Sequence, residues 1–233
     1  MRIAFFGGSF DPPHHGHLAI ARAAQQALDL DQVLFAPVAF QPLKPAGSSA
    51  SFADRVAMTR LAIANQPNFE LSLADSPNTD ALDNPGSTPN YTPNYTSDTL
   101  IRLQQSLPPK TQLYLLLGAD SLCSLPQWHR AAEIPFLANL IVASRPGQNL
   151  SDLSDLSACL PPGIDVHPIP AQPNQFRLTN QNRQQSQLTI LPNLHYEISA
   201  TQLRHQIHGD PSTQPPLISE AVLQYIHHHH LYE

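Results

Sequence analysis

Charge is what this sequence has least of. Asp, Glu, Lys and Arg make up 13% of the 233 residues, and 18 acids against 12 bases give a formal net charge of −6. A chain of that sign has no global attraction for phosphate polymers or anionic membranes, so a nucleotide has to be held by a local site and a nucleic-acid partner is not expected. Cysteine is nearly absent as well. Cys123 and Cys159 lack CxxC spacing, which implies no disulfide framework and reads as two reduced, partly buried thiols in a cytosolic protein. No apolar run approaches a membrane span: Leu113 to Leu117 is far too short, and Arg2-Ile3-Ala4-Phe5-Phe6 opens the chain without a basic leader or cleavage site. The expectation is a cytoplasmic protein with no membrane partner, for which a homo-oligomer stays open.

What is present is enough apolar material for a core. Hydrophobic residues reach 41%, and this length suits one sizeable α/β domain spanning 1–233. Residues 2–6 read as a buried strand that runs into a glycine turn, and apolar residues then recur at helical spacing from His17 to Leu28. A strand at Val33 to Val38, a Pro/Gly/Ser loop at Gln41 to Ser51 and a helix at Phe52 to Ala64 continue the alternation. A helix at Ser97 to Ser106, a strand at Gln112 to Leu117, a short helix after Gly118 and a strand at Asn139 to Ala143 extend it. Arg145-Pro146-Gly147 reads as a closing turn. The βαβα order predicts an α/β, Rossmann-like, doubly wound and mainly parallel sheet with helices on both faces. Two polar stretches, at about 75–94 and 148–190, read as loop insertions. The first holds a tandem Thr-Pro-Asn-Tyr; the second has only weak strand candidates at Ile164 to Ile169 and Leu188 to Leu191, before a helical stretch near Thr201.

The strongest chemical signal is Gly7-Gly8-Ser9-Phe10-Asp11-Pro12-Pro13-His14-His15-Gly16-His17, between the first strand and the first helix. An open α/β sheet presents its ligand crevice at such a place. Glycines let backbone approach a phosphate, the helix start directs N–H groups and partial positive charge toward it, and His14 and His17 can donate to the same oxygens. No acid, serine or cysteine nucleophile stands out beside them, so in-line attack by a substrate phosphate on the α-phosphorus of ATP is more natural than a covalent intermediate. A metal site on His14, His15 and His17 is disfavoured, because i, i+1, i+3 spacing beside glycines does not easily converge three imidazoles on one ion. Near the other end, Ser199, Thr201 and Arg204 offer hydroxyls, backbone N–H groups and a guanidinium where a strand-like stretch hands over to a helix. Thr201 also reads as an ordinary helix cap.

Gly7 to His17 resembles the (H/T)xGH signature of nucleotidyltransferases, and Ile198-Ser199-Ala200-Thr201-Gln202-Leu203-Arg204 resembles that family's ISxTxxR partner motif. Within the family, Tyr95-Thr96-Ser97-Asp98-Thr99-Leu100, Gly118-Ala119-Asp120 and Trp128-His129 are similar in order and spacing to nicotinate-nucleotide adenylyltransferases, as are Pro37 to Lys44 and Arg55 to Ile63. The resemblance implies transfer of AMP from ATP to nicotinate mononucleotide, giving nicotinate adenine dinucleotide and pyrophosphate in NAD biosynthesis, with Mg²⁺ bound to the ATP. It implies that His14, His17, Lys44 and Arg204 are catalytic, and that Gly7, Gly8, Ser9, Phe10, Gly118, Asp120, Ile198, Ser199 and Thr201 join His14, His17 and Arg204 around ATP. Lys44, Tyr95, Thr96, Trp128 and His129 would meet the acceptor, Trp128 by stacking on the nicotinate ring and backbone N–H groups near Thr96 and His129 by holding its carboxylate. The alternatives are adenylylation of nicotinamide mononucleotide or phosphopantetheine, or a nucleotide sensor without turnover. The run His227 to His230, flanked by Tyr225-Ile226 and Leu231-Tyr232, reads as native sequence, and no protein metal site is assigned.

Overall fold

Every interior residue of the first strand, β1 (Arg2–Gly8), is apolar, and successive residues serve opposite faces. Ile3 and Phe5 join one buried cluster while Ala4 and Phe6 join another. A strand apolar on both faces belongs at the centre of a sheet covered on both sides. The computed structural model, which describes residues 1–43, 47–77, 93–144, 152–191, 203–204, 207 and 217–233, places it there.

The chain continues through α1 (His15–Leu28), β2 (Gln32–Pro37), α2 (Phe52–Ile63), β3 (Phe69–Leu71), α3 (Thr96–Ser106), β4 (Gln112–Gly118), α4 (Ala119–Ser124), α5 (Ile134–Leu137) and β5 (Asn139–Ala143). It then runs through α6 (Leu153–Ala158), β6 (Ile164–Pro168), β7 (Gln175–Asn180) and β8 (Gln185–Leu191), and α7 (Glu220–His228) follows near the C-terminus. The eight strands form one sheet in the order β3-β2-β1-β4-β5-β8-β7-β6. All pairings from β3 to β8 are parallel, while β8–β7 and β7–β6 are antiparallel. The expected α/β, Rossmann-like and mainly parallel sheet is what forms.

Helices α3, α4, α5 and α6 cover the face of Ile3 and Phe5 through Leu100, Leu122, Ile134 and Leu156. Helix α1 covers the other face through Leu18, Ala21 and Ala24. A third cluster joins Met58 and Ala62 of α2 to Val222 and Ile226 of α7. Because β2 and β3 lie to one side of β1 and β4 and β5 to the other, the winding reverses between β1 and β4, and a crevice opens at their carboxyl ends. With Ile3 opposite Leu113 and Phe5 opposite Leu115, that register brings Gly8 and Gly118 to matching heights at the strand ends.

Three features depart from the sequence reading. The polar stretch after residue 148 carries more regular structure than expected: β6 and β8 form at the strand candidates Ile164 to Ile169 and Leu188 to Leu191, while α6 and β7 are added, and β7 succeeds because Phe176 and Leu178 alternate inward between polar residues. The three-residue strand β3 adds an edge beyond β2. The cysteines are not reduced thiols: Cys123 and Cys159 form a disulfide, across 36 residues, that joins α4 to the residue capping α6. Spacing along the chain is silent about this pairing, since only tertiary packing brings the two helices together. The turn at Arg145-Pro146-Gly147, most of the 75–94 stretch and the helix start at Thr201 lie outside the described residues.

Candidate active site

The turn between β1 and α1 is shaped by an aromatic ring. Phe10 has φ 48° and is 1% exposed, with its ring packed on Phe6, Phe35 and His17. A Cβ on Gly8 would come within 3.2 Å of that ring, so any side chain there would push the Phe10 ring by a few tenths of an ångström. Phe10 was expected beside ATP; its side chain is core, which leaves its backbone for contact. The Ser9 hydroxyl donates to Gln41 and its carbonyl accepts from Arg55.

His14 occupies the N-cap of α1 in extended conformation, φ −139° and ψ 169°, and His17 sits three residues on. Their rings stack with centroids 3.7 Å apart. The His14 backbone N–H donates to His17 Nδ1 at 3.2 Å. An accepting Nδ1 puts the proton of a neutral imidazole on Nε2, so His17 presents a fixed donor from the opposite edge of its ring. The helix start adds its partial positive charge, and both imidazoles stand in it at the carboxyl end of β1. His14 is 8% exposed, and His17 is half-buried beside it.

Asp11 forms the underside of this cradle. Its carboxylate is 5% exposed and accepts from the Ser49 and Ala50 backbone N–H groups at 2.6 and 3.1 Å and from the Tyr232 hydroxyl at 2.7 Å. Arg204 donates through Nη1 to the Asp11 carbonyl at 2.8 Å, with the same nitrogen 3.9 Å from the carboxylate. Arg55, 1% exposed, donates to the carbonyls of Ser9, Val38 and Ala50. Burial lowers its pKa while Asp11 and Tyr232 oppose that shift; guanidinium starts so high that it stays charged. Arg204 is therefore brought beside the histidine turn despite a separation of 193 residues from Asp11. Lys44, Ile198, Ser199 and Thr201 lie outside the described residues.

Across the crevice, Gly118 caps α4 at the end of β4, and a Cβ there would meet nothing within 4 Å. Asp120 follows it, exposed, in the first turn of α4. Tyr95 is the N-cap of α3, which puts Thr96 in the first turn with backbone N–H groups left over by the helix. The Tyr95 ring lies 4.3 Å from that of His129, so the structure does bring these two expected residues together. Trp128 is half-buried against the core and donates its indole N–H to Ser124 of α4 at 3.1 Å.

Several residues of this site stand out only in the structure. Asp75, 4% exposed, accepts from Thr99 of α3 at 2.5 Å, and its carbonyl accepts from Ala39. Its other carboxylate oxygen would lie 3.8 Å from a Cβ on Gly7. Burial pushes its carboxyl up to about 6, against the Thr99 hydrogen bond and the Arg102 charge. Asn94 joins the same clasp, accepting from Phe40 and donating to Ser76. Asp11, Arg55, Asp75 and Asn94 act through partners far away in sequence; Asp11 lies in the Gly7 to His17 run and Arg55 opens the Arg55 to Ile63 segment, whereas Asp75 and Asn94 carry no signal of their own.

Residues 5–206 match the cytidylyltransferase-like family. A protein of Gloeobacter violaceus described as a probable nicotinate-nucleotide adenylyltransferase is 37% identical over 232 residues, covering 100% of this chain and 96% of the relative. A Roseiflexus castenholzii protein of the same description is 46% identical over 161 residues, 69% of this chain and 73% of the relative. Among solved structures, Plasmodium falciparum nicotinic acid mononucleotide adenylyltransferase complexed with NaAD superposes with a TM-score of 0.65 at 18% identity, covering 99% of this chain and 97% of that one. At that identity the likeness establishes the fold. With the sequence relatives added, the chain belongs to the nicotinate-nucleotide adenylyltransferase family, within the cytidylyltransferase-like group.

Proposed function

We propose that this chain transfers AMP from ATP to the 5′-phosphate of nicotinate mononucleotide, forming nicotinate adenine dinucleotide and releasing pyrophosphate as a step of NAD biosynthesis. The observation that carries the reading is the stacked His14–His17 pair at the head of α1, set at the switch point of the sheet. In a chain of this family, that pair stands where the α-phosphate of ATP is expected.

The chemistry asks little covalent work of the protein. An acceptor phosphate oxygen attacks the α-phosphorus, the new P–O bond forms as the bond to the β-phosphate oxygen breaks, and the pyrophosphate keeps the electron pair. Charge grows on the α-phosphate oxygens and on the leaving group, and preorganised donors lower the barrier by meeting it. His17 Nε2 and His14 act on the α-phosphate. Arg204, with Lys44, Ser199 and Thr201, manages the pyrophosphate. The backbone of Gly7, Gly8, Ser9 and Phe10 and the residues Gly118, Asp120 and Ile198 complete the ATP site. Mg²⁺ enters on the ATP phosphates as part of the substrate and offsets their charge. Among the described residues, no group of three or more His, Cys, Asp or Glu side chains is placed to hold a metal ion.

On the acceptor side, Tyr95, Thr96, Trp128 and His129 receive the nicotinate, whose carboxylate suits the open N–H groups at the start of α3. The stretch 1–233 works as one nucleotidyltransferase domain, and its setting is the cytoplasm. Among the described residues no helix is long and apolar enough to cross a membrane. The test is pyrophosphate release from MgATP with nicotinate mononucleotide, nicotinamide mononucleotide and phosphopantetheine supplied separately. Release with the nicotinate acceptor alone is expected. Release with another acceptor alone would keep the roles of His14 and His17 and remove those of Thr96 and Trp128, while ATP binding without any release would make the chain a sensor.

A further inference from the structure

We propose that Tyr232, the penultimate residue of the chain, is a positioning residue for the ATP phosphates, acting through Asp11 and Arg204; this rests on the reading of Arg204 as a phosphate ligand. Tyr232 is separated from Asp11 by 221 residues, yet its hydroxyl donates to Asp11 Oδ1 at 2.7 Å. The same carboxylate accepts two backbone N–H groups from Ser49 and Ala50. Ala50 also belongs to the third core cluster, whose flank includes Leu231 and Tyr232. The C-terminal end is thereby packed and hydrogen-bonded against the floor of the histidine turn.

The geometry gives Asp11 two duties. Its carboxylate is fixed from above by Tyr232 and from the side by the 49–50 loop, and its carbonyl holds the Arg204 guanidinium at 2.8 Å. Its side chain also lies 3.9 Å from that cation, so the position of the carboxylate sets part of the field in which Arg204 stands. Burial, and then the hydrogen bond to Asp11, push the Tyr232 phenol up from its ordinary value, so it remains a donor throughout the neutral range. The donor can be deleted without emptying the site, because a phenylalanine ring fills the same volume.

The experiment uses the full chain with Tyr232→Phe, Arg204→Ala and the double variant. The expected result for Tyr232→Phe is a rise of about tenfold in KM for MgATP, within the range by which a residue that does not touch a ligand changes its binding, with KM for nicotinate mononucleotide unchanged and at most a modest fall in Tm. In the Arg204→Ala background the same substitution should add nothing further, since two residues on one path are not additive. An unchanged KM for MgATP, a parallel rise in both KM values with a fallen Tm, or an undiminished effect in the double variant would each overturn the assignment. Binding of a non-cleavable ATP analogue by calorimetry reads the same comparison without an acceptor. A chain that turns over no acceptor but loses analogue affinity on Tyr232→Phe would thus sink the proposed reaction and leave Tyr232 in place.

Discussion

The two walls of the crevice are built in different ways. The wall proposed for ATP, from Gly7 to His17, is largely buried and cross-braced: Asp11 and Arg55 tie it to the 49–50 loop, to the end of β2 and to the C-terminus. The wall proposed for the acceptor, at the start of α3, is anchored beneath by the buried Asp75–Thr99 hydrogen bond, but its outer residues meet at the surface, with Tyr95 against an exposed His129 and Arg130 reaching Glu133 and Asp98 in water. Exposed ion pairs fix position weakly, whereas buried hydrogen bonds to charged groups fix it strongly. The difference follows from the chemistry. Transition-state charge on phosphate must meet donors already in place, while a planar acceptor ring needs a surface that can adjust to it.

The comparison breaks most completely at His17. His17→Ala should fold normally and lose about two to three orders of magnitude in turnover, because one preorganised donor to a developing oxyanion is worth that much. Pyrophosphate release and the thermal midpoint, measured together, separate this from misfolding. Near wild-type turnover would remove His17 from the mechanism.

Arg55 tests the bracing itself. Arg55→Leu strips donors from three carbonyls at Ser9, Val38 and Ala50 and removes one of the cations near the buried Asp11 carboxylate. A loss of about 3 to 5 kcal/mol is expected in denaturant unfolding, the usual scale for breaking a buried charged network. A loss below about 1 kcal/mol, the range of an exposed ion pair, would show the ATP wall to be no better braced than the acceptor wall.

Legibility in the sequence divides along the same line. β1, α1, β4 and β5 can be read from the chain because their apolar period is local, and β5 keeps its expected bounds of Asn139–Ala143. The histidine turn is legible because its chemistry is contiguous. The bracing role of Arg55 is not, because a guanidinium on a helix looks solvated until partners 5, 17 and 46 residues away cover it. Asp75 hides for the same reason behind its Thr99 partner, 24 residues on. β7 is masked by polar neighbours of Phe176 and Leu178, and the Cys123–Cys159 bond exists only once α4 and α6 are packed. Local periodicity finds elements; buried charge is paired across the fold.

Asp75 lies at the joint between the two walls, with Gly7 on one side and Thr99 on the other. Burial holds its carboxyl at about 6 in the fold, above the ordinary aspartate value of about 4, so between those values the folded state binds the extra proton. Stability contributed by the protonated form is present below about 4 and is lost as pH rises through about 6, by up to about 3 kcal/mol. Asp75→Asn should remove this fall between pH 4 and 7 and unfold at higher temperature than wild type at pH 8. An unchanged pH slope would mean that the carboxylate is solvated well enough to ionise freely, and the joint would then be no drier than the acceptor wall.

The smallest effect is expected on the exposed side. His129→Ala removes the ring that packs on Tyr95, an aromatic contact worth about 1 kcal/mol, or roughly a fivefold rise in KM for nicotinate mononucleotide. KM for MgATP should stay where it is and the thermal midpoint should fall only slightly, since His129 is exposed and lies across the crevice from the histidine turn. A change in KM for MgATP as large as that for the acceptor would mean that the walls move as one body. Their different construction would then be a matter of burial alone, and the acceptor wall would owe its position to the ATP wall through Asp75.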